Sequence, residues 1–164
     1  MKIWGIVGWK NAGKTGLMER LVTEFTRRGL TVSTVKHAHH AFDVDQPGKD
    51  SYRHRAAGAR EVLLSSGARW ALMHELRGAD EPGLEALLAR LSPVDLVLVE
   101  GFKGDAHPKV EAHRRATGHP LIAPTDPTIR AICSDTTAEG TNLPHFDLND
   151  TRSIADFITR ELGL

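Results

Sequence analysis

The sequence has little of several features that mark particular protein classes. Its 164 residues include one cysteine, Cys133, which excludes an internal disulfide and a zinc site built from cysteines. Lysine plus arginine and aspartate plus glutamate balance at 21 each, so no net charge draws the chain to a nucleic-acid backbone or an anionic membrane. No apolar run approaches the roughly 20 residues that cross a bilayer. We therefore expect neither a nucleic-acid partner nor a membrane partner.

The overall composition is typical of a folded domain. Hydrophobic residues make up 40% of the chain and charged residues 26%, which is ordinary globular usage. No repeat or low-complexity linker divides the sequence, so we expect a single domain over residues 1–164. The apolar start, residues 1–7, is too short and too interrupted by glycine for a signal peptide, and we expect a cytoplasmic protein.

The first forty residues predict a parallel strand–helix–strand unit. A short apolar run at 3–7 ends in Gly8 and indicates a buried strand. Apolar residues at helical spacing predict a helix over 14–28, and a β-branched run predicts a second strand at 31–36. Such a unit is right-handed in nearly all proteins. The fold class we predict is α/β with a mostly parallel sheet.

One segment interrupts this alternation. A polar loop at 38–50 precedes a short helix that reaches Ala57, with Asp50 or Ser51 as its cap, and two extended runs at 61–65 and 69–75 predict a β-hairpin. We therefore predict an inserted loop, helix and hairpin at about 38–75. The later segments resume the pattern, with strands expected at 95–99, 110–112, 121–123 and 129–133 and helices at 82–91 and 153–162.

The turn between the first strand and the first helix matches the phosphate-loop pattern G-x-x-x-x-G-K-[ST]. Its glycines let the backbone curl until successive N–H groups face one anion, and the helix N-terminus adds partial positive charge. The predicted phosphate-binding residues are Gly8, Asn11, Ala12, Gly13, Lys14 and Thr15. Lys14 is expected to reach the β- and γ-phosphates, and the Thr15 hydroxyl to bind Mg²⁺. The motif predicts a three-layer fold of the P-loop NTPase type.

A P-loop protein needs a second carboxylate near the metal, at the carboxyl end of a neighbouring strand. Asp95 and Glu100 bracket the apolar run 95–99, about 16 Å apart along an extended strand. Only Glu100 stands at the phosphate end. We predict that Glu100 holds Mg²⁺ through water or orients an attacking water, and that Asp95 is a surface residue.

The segment after the second strand is crowded with titratable side chains. The candidates are His37, His39, His40, Asp43, Asp45, Asp50, Arg53 and Arg55. One interpretation is a transition-metal site that combines His37 and His39 with Asp43 or Asp45. Another is a nucleotide-linked switch loop, in which Asp43 or Asp45 completes the Mg²⁺ water shell and the arginines contact phosphate groups of the nucleotide or of a partner molecule. A solvated loop with a helix cap at Asp50 is the third.

Three stretches of the sequence together resemble one family. They are residues 8–15, residues 35–59 with their series of His, Asp, Lys, Asp, Ser, Arg, His and Arg, and residues 95–103 with Glu100-Gly101-Phe102-Lys103. The middle stretch is the specific one, because a phosphate loop alone fits many functions. On these residues, and over nearly its whole length, the chain resembles the MobB family of molybdopterin-guanine dinucleotide biosynthesis adaptor proteins.

The resemblance implies several properties. It implies a P-loop core that binds GTP with Mg²⁺, weak GTP hydrolysis at most, and a homodimer. It also implies assistance to a separate guanylyltransferase that joins GMP to molybdenum-bearing molybdopterin, with molybdopterin itself as a candidate ligand. We expect bound nucleotide to set the shape of the 38–55 loop and hence its engagement with the partner.

The guanine-reading residue is not marked by the usual motif. No Asn-Lys-x-Asp run occurs, and Asp126, after the expected strand at 121–123, is the candidate for accepting both guanine N–H donors. Pro124 and Pro127 flank it, so a plain proline turn is the alternative reading.

Two other functions remain open from the sequence. A small P-loop kinase could use Glu100 or Asp43 to position an acceptor hydroxyl. A nickel-type metallochaperone GTPase could use His37, His39 and His40.

The hairpin at 61–75 is the expected dimer surface. Its two adjacent strands are nearly all apolar and need cover on both faces.

Overall fold

The computed structural model describes residues 1–38, 42–137 and 140–164. His39 and His40, two of the predicted loop residues, lie outside the described residues. The chain falls into two units, residues 1–37 with 87–164 and residues 38–86. The single domain expected over the whole chain therefore stays a prediction. Within the described residues, no helix combines the length and the apolar character needed to cross a bilayer.

The described parts of the two units contain eight strands and four α-helices. The strands are β1 Lys2–Val7, β2 Val32–Lys36, β3 Glu61–Ser65, β4 Trp70–His74, β5 Leu96–Glu100, β6 Lys109–His113, β7 Ile129–Ser134 and β8 His145–Asp147. The helices are α1 Lys14–Arg27, α2 Asp50–Ala56, α3 Leu84–Leu88 and α4 Thr151–Leu162. Two 3-10 turns occupy Arg115–Thr117 and Ala123–Thr125.

The first unit contains a six-stranded sheet in the order β2-β5-β1-β6-β7-β8, in which every neighbouring pair is parallel. The α/β class, the mostly parallel sheet and the β1-α1-β2 unit predicted from sequence are confirmed. In the second unit, β3 and β4 form the predicted antiparallel hairpin.

The core of the first unit lies between the sheet and helices α1 and α4. Both helices turn one apolar stripe inward, as their spacing of apolar residues requires. The Trp4 indole meets the Phe157 ring edge-on at 6.0 Å between centroids. Other fully buried members are Ile6, Leu17, Leu21, Phe25, Leu98 and Ile154. This burial fixes where α1 begins, and hence where its N-terminus points.

The prediction of a strand at 121–123 is wrong. Ile122 and Ala123 donate their backbone N–H groups to the Glu111 carboxylate at 2.8 to 3.0 Å, and a 3-10 turn follows. A buried side chain thus takes the donors that a strand ladder would use. Strand β8 was missed, because three residues, His145–Asp147, are too few for an apolar alternation to be visible.

Two details of the helices also differ from expectation. The residue that precedes α2 is Lys49, which makes no side-chain cap bond; Asp50 is the first helical residue, and the Ser51 hydroxyl donates to Asp45 instead. The predicted cap at Asp50 or Ser51 is therefore wrong. The helix expected at 82–91 is confined to Leu84–Leu88, because the backbone N–H groups of Arg90 and Leu91 donate three residues back, to Leu87 and Leu88, and form turns in place of further helix.

The strand order places three strand ends together. Strand β1 lies between β5 and β6, and the chain passes over β5 to reach β2 and over β1 to reach β6. At the carboxyl ends, Glu100 is in register with Ile6 on one side and with Lys36 on the other. Such a switch in strand order leaves a crevice at the carboxyl edge, where open α/β sheets bind their ligands.

Candidate functional site

The turn from β1 into α1 has a backbone that only glycine can supply at two points. Gly8 and Gly13 have φ of +148° and +93°, and Asn11 also has a positive φ of 64°. A Cβ on Gly8 would stand 2.2 Å from the Ala112 carbonyl oxygen. Gly13 precedes α1 and provides no side-chain cap, so no side chain of its own covers the helix N-terminus. A curled loop that ends on an open helix N-terminus is an anion cradle.

The Trp9 carbonyl accepts two hydrogen bonds within this cradle. It accepts the Lys14 Nζ at 2.8 Å and the Ala12 N–H at 3.2 Å. Ala12 is buried, whereas Lys14 is part-buried with one hydrogen bond on its ammonium. Burial lowers the pKa of Lys14; the Glu100 carboxylate opposes this, and the positive charges of Lys103 and Lys36 add to it. Lys14 therefore lies among other cations, with donor capacity left for an anion.

Glu100 stands where the sequence predicts, at the carboxyl end of β5. Its side chain is about one-tenth exposed, with Oε1 3.4 Å from Lys36 Nζ and 3.5 Å from the Thr15 hydroxyl oxygen. The structure thus brings together Thr15 at the start of α1, Lys36 at the end of β2 and Glu100 at the end of β5. A hydroxyl and a carboxylate side by side are hard oxygen donors, which suit Mg²⁺.

A tight turn after Glu100 sends the chain back towards the phosphate loop. Gly101 has φ of +93°, and a Cβ there would lie 2.9 Å from the His37 Cβ. Phe102 follows with φ of +49°, and its ring meets the His37 ring at 4.8 Å between centroids. His37 is therefore packed on the turn, its backbone N–H donating to the Glu100 carbonyl at 2.9 Å. Its predicted role in a switch loop stays a prediction.

An aromatic group beside the loop was not foreseen from the sequence. The Trp9 ring stacks on His119 at 5.1 Å, donates its Nε1–H to the Pro120 carbonyl at 2.8 Å, and lies 4.3 Å from the Lys103 ammonium. The fully buried Glu111 carboxylate holds the residues after Pro120 in place, because it accepts the backbone N–H groups of Ile122 and Ala123. The only signal in the sequence was an aromatic residue inside a phosphate loop.

Asp126 precedes β7 and contacts other residues of the first unit. Its Oδ1 accepts from the Thr128 N–H and hydroxyl, and its Oδ2 lies 3.5 Å from Lys109 Nζ. Both carboxylate oxygens are engaged within the fold. The alternative of a plain proline turn accounts for these contacts, and the guanine-reading role of Asp126 stays a prediction.

In the second unit, the predicted Mg²⁺ carboxylates are tied to an arginine. Asp43 Oδ2 accepts from Arg55 at 2.7 Å, and Asp45 Oδ1 accepts from the Ser51 hydroxyl at 2.8 Å. Arg55 also reaches Glu75 at 3.4 Å. The hydrogen bond and charge of Arg55 lower the pKa of Asp43. These contacts fold residues 43–45 onto α2, and the predicted metal role of the two aspartates stays a prediction.

Asp50 and Arg53 remain open to solvent. Their side chains are 90% and 72% exposed, and they approach each other only to 3.9 Å. Among residues 1–38, 42–137 and 140–164, no group of three His, Cys, Asp or Glu side chains is arranged to hold a metal ion. The histidine site considered from the sequence includes His39 and His40, which the structure does not describe.

The chain is similar to known proteins over nearly its full length. The family described as molybdopterin guanine dinucleotide synthesis protein B matches residues 3–135. The molybdopterin-guanine dinucleotide biosynthesis adapter protein of Escherichia coli strain K12 is 39% identical over 153 residues, which cover 92% of this chain and 87% of that protein. The protein of the same description from Haemophilus influenzae is 38% identical over 154 residues, covering 94% and 85%.

Solved structures agree with these sequence matches. A crystal structure of a MobB protein homologue from Bacillus stearothermophilus superposes with a TM-score of 0.74 at 29% identity, covering 99% of both chains. A crystal structure of molybdopterin-guanine biosynthesis protein B gives a TM-score of 0.76 at 26% identity, covering 98% of this chain and 99% of that one. The resemblance found in the sequence is confirmed. With the phosphate loop, the Glu100 turn and the sheet order in place, the chain belongs to the molybdopterin guanine dinucleotide synthesis protein B family.

Proposed function

We propose that this chain is a GTP-binding adaptor of molybdenum cofactor biosynthesis, which assists a guanylyltransferase that makes molybdopterin-guanine dinucleotide. The adaptor role follows from the family to which the chain belongs. The observation that carries nucleotide binding is the loop from Gly8 to Thr15, a strained backbone cradle open at a helix N-terminus and flanked by lysines.

The triphosphate is bound by the backbone of residues 8–15 and by the Lys14 ammonium. The N–H groups of the first turn of α1 face the phosphates, since Gly13 offers them no side-chain acceptor. Lys14 then exchanges the Trp9 carbonyl for phosphate oxygens, a stronger acceptor because it is charged. Asn11 contributes by its left-handed conformation, which turns the loop.

Mg²⁺ fits the oxygen donors beside this loop. The Thr15 hydroxyl is the direct protein ligand, and buried Glu100 holds one of the metal's water molecules. The metal neutralises phosphate charge when bound. Glu100 is also ion-paired with Lys36, which restrains its carboxylate and supports GTP hydrolysis that is weak at most.

We propose that the hairpin packs against a second copy of this chain. The pairing of Leu63 with Leu72 and of Ser65 with Trp70 puts Leu63, Leu72 and Trp70 on one face, where they are 61%, 42% and 65% exposed. A two-stranded ribbon is marginal alone and carries two unpaired edges. Symmetric pairing of two ribbons covers both, so the functional unit is a homodimer.

The partner-facing surface is the 38–55 segment. Asp43 binds Arg55 and Asp45 accepts from Ser51, so residues 43–45 are held against α2, while Asp50 and Arg53 project into solvent. The exposed charges suit a charged partner surface, either the guanylyltransferase or the phosphate of molybdopterin. The predicted switch-loop roles of His37, His39 and His40 stay part of this proposal.

Calorimetric titration of GTP and ATP, with and without Mg²⁺, tests the nucleotide proposal. We expect Mg²⁺-dependent GTP binding that Lys14→Ala weakens at least tenfold, or about 1.4 kcal/mol, because a charge-assisted phosphate contact is lost. Lys2→Ala is the matched control, since Lys2 is exposed at the start of β1 and the change in net charge is the same. Equal affinity in the Lys14 and Lys2 variants contradicts the assignment of the loop.

Sedimentation tests the dimer. We expect Trp70→Ser combined with Leu72→Ser to give a monomer at micromolar concentration that still binds GTP. Leu164→Ser removes another exposed apolar side chain outside the hairpin and should leave the dimer intact. A wild-type monomer, or a dimer that survives the double substitution, contradicts the hairpin interface. Stimulation of the purified guanylyltransferase by the wild-type chain is the corresponding test of the adaptor role.

A further inference from the structure

Lys103 is a charged side chain that the proposed function leaves unused. It follows the Gly101-Phe102 turn, whose two positive φ angles reverse the chain after β5. Its own backbone is fixed, because the Lys103 carbonyl accepts the buried Lys109 ammonium at 3.2 Å. The side chain ends with Nζ 4.3 Å from the centre of the Trp9 ring. The Lys103 backbone is thus held in place, and the Lys103 ammonium lies against Trp9, a side chain of the phosphate loop.

The contact of Lys103 with Trp9 is of a kind that a ligand can displace. Within the described residues, Lys103 makes no ion pair with a carboxylate, in contrast to Lys36, which binds Glu100. A part-exposed cation over an indole gains roughly 0.5 to 1 kcal/mol. A bond between an ammonium and phosphate is stronger, because both groups carry charge.

The charges around the loop favour the binding of an anion. Lys36 binds Glu100, and the charges of Glu100, Lys103 and Lys36 all act on Lys14, while the charge of Lys103 also acts on Glu111. Two lysines and one carboxylate thus act on the Lys14 ammonium, so positive charge exceeds negative charge around it. Like charges held together are unfavourable, and a polyphosphate placed among them removes that cost.

We propose that Lys103 is a second phosphate-binding lysine, with the face of Trp9 as its resting position when no nucleotide is bound. On binding, the ammonium leaves the indole and contacts the polyphosphate, and Trp9 changes its environment. This inference rests on the proposed GTP binding. It adds that the turn after Glu100 is part of the nucleotide site and that Trp9 reports its occupancy.

The test compares three variants with the wild type in GTP binding and tryptophan fluorescence. We expect Lys103→Met to weaken GTP about tenfold, Lys103→Arg to retain most of the affinity, and Lys2→Met to bind as the wild type does. GTP should change wild-type fluorescence. The change should vanish in Trp9→Phe, which identifies Trp9 among the three tryptophans, and in Lys103→Met even at saturating GTP.

The outcomes separate the two proposals. Absence of GTP binding to the wild type overturns the proposed function itself. GTP binding by the wild type with Lys103→Met within twofold of Lys2→Met leaves that function standing and overturns the role of Lys103. A fluorescence response that persists in saturated Lys103→Met overturns the resting position on Trp9. Circular dichroism of each variant establishes that it is folded, which is expected since the Lys103 side chain is part-exposed.

Discussion

Two lysines of the first unit have opposite environments. Lys109, at the start of β6 and in register with Gly5 in the middle of β1, is fully buried and donates to the Lys103 and Asp105 carbonyls and the Thr128 hydroxyl at 2.5 to 3.2 Å, with Asp126 at 3.5 Å. Lys14, in the phosphate loop, donates to one carbonyl and is acted on by the charges of Glu100, Lys103 and Lys36. A lysine whose donors are all used stabilises the fold, whereas a group of under-used lysines marks a site for an anion.

Replacing Lys109 should give the largest effect on stability. Lys109→Met leaves several buried oxygen acceptors and the Asp126 carboxylate without their cation, which costs about 3 to 5 kcal/mol of unfolding free energy. Lys103→Met should cost less than about 1 kcal/mol, since it removes one part-exposed contact with an aromatic ring. Urea denaturation of both variants measures the difference.

The same pair of variants should show the reverse order in nucleotide binding. The folded fraction of Lys109→Met is expected to lose less GTP affinity than Lys103→Met, because Lys109 holds the Lys103 backbone through its carbonyl but is itself enclosed by protein oxygens. Comparable stability losses in the two variants, or comparable binding losses, would erase the distinction between the two lysines.

The phosphate loop should tolerate a β-carbon poorly. Gly8→Ala combines a positive φ with a 2.2 Å approach to the Ala112 carbonyl, so we expect a loss of about 3 kcal/mol and loss of GTP binding. Gly29→Ala is the control: its φ is +87°, but nothing lies within 4 Å of the added carbon. It should cost only about 1 kcal/mol, the strain of the backbone conformation alone.

Thermal unfolding with and without GTP reads both effects. A Gly8→Ala protein as stable as Gly29→Ala would mean that the backbone moves away from Ala112 at little cost. The cradle would then be more pliable than its geometry implies.

Asp126→Asn tests the predicted base-reading role. We expect a loss of about 2 kcal/mol of unfolding free energy, because the variant weakens a charge-assisted contact to a buried lysine and the bonds from Thr128. We expect no change in the preference for GTP over ATP, since both carboxylate oxygens are engaged within the fold. A variant that binds both nucleotides equally, when the wild type prefers GTP, would support the base-reading role.

The sequence predicted what local chemistry determines. The phosphate loop was predicted from eight consecutive residues that match one motif. The place of Glu100 was predicted from the apolar run before it, because the end of that run marks the carboxyl end of a parallel strand. The wrong strand prediction at 121–123 had a different origin: Ile122 in this segment donates its backbone N–H to Glu111, eleven residues away, and no local pattern shows which donors a buried carboxylate takes. Lys109 was missed for the same reason, as burial of a charge depends on partners distant in sequence.

The smallest effect we expect concerns a carboxylate at the amino edge, Asp95. It accepts the Thr31 hydroxyl at 2.6 Å and the Thr31 N–H at 2.8 Å, and these bonds lower the pKa of Asp95 below its usual 3.8. A carboxyl group with a lowered pKa in the folded state contributes stability that is present above the unfolded value and is lost as the pH falls through the folded one. The wild type should therefore lose stability on acidification below about pH 4, and Asp95→Asn should lose less.

Urea midpoints at pH 7 and pH 3 measure this difference, with Asp80→Asn as an exposed aspartate control. Stability in Asp95→Asn should be lower at pH 7 and approach that of the wild type at pH 3. An acid dependence identical in all three proteins would show that the Thr31 bonds add nothing to folding. The Asp95 contacts would then not belong with the Lys109 contacts among the polar interactions that stabilise the fold.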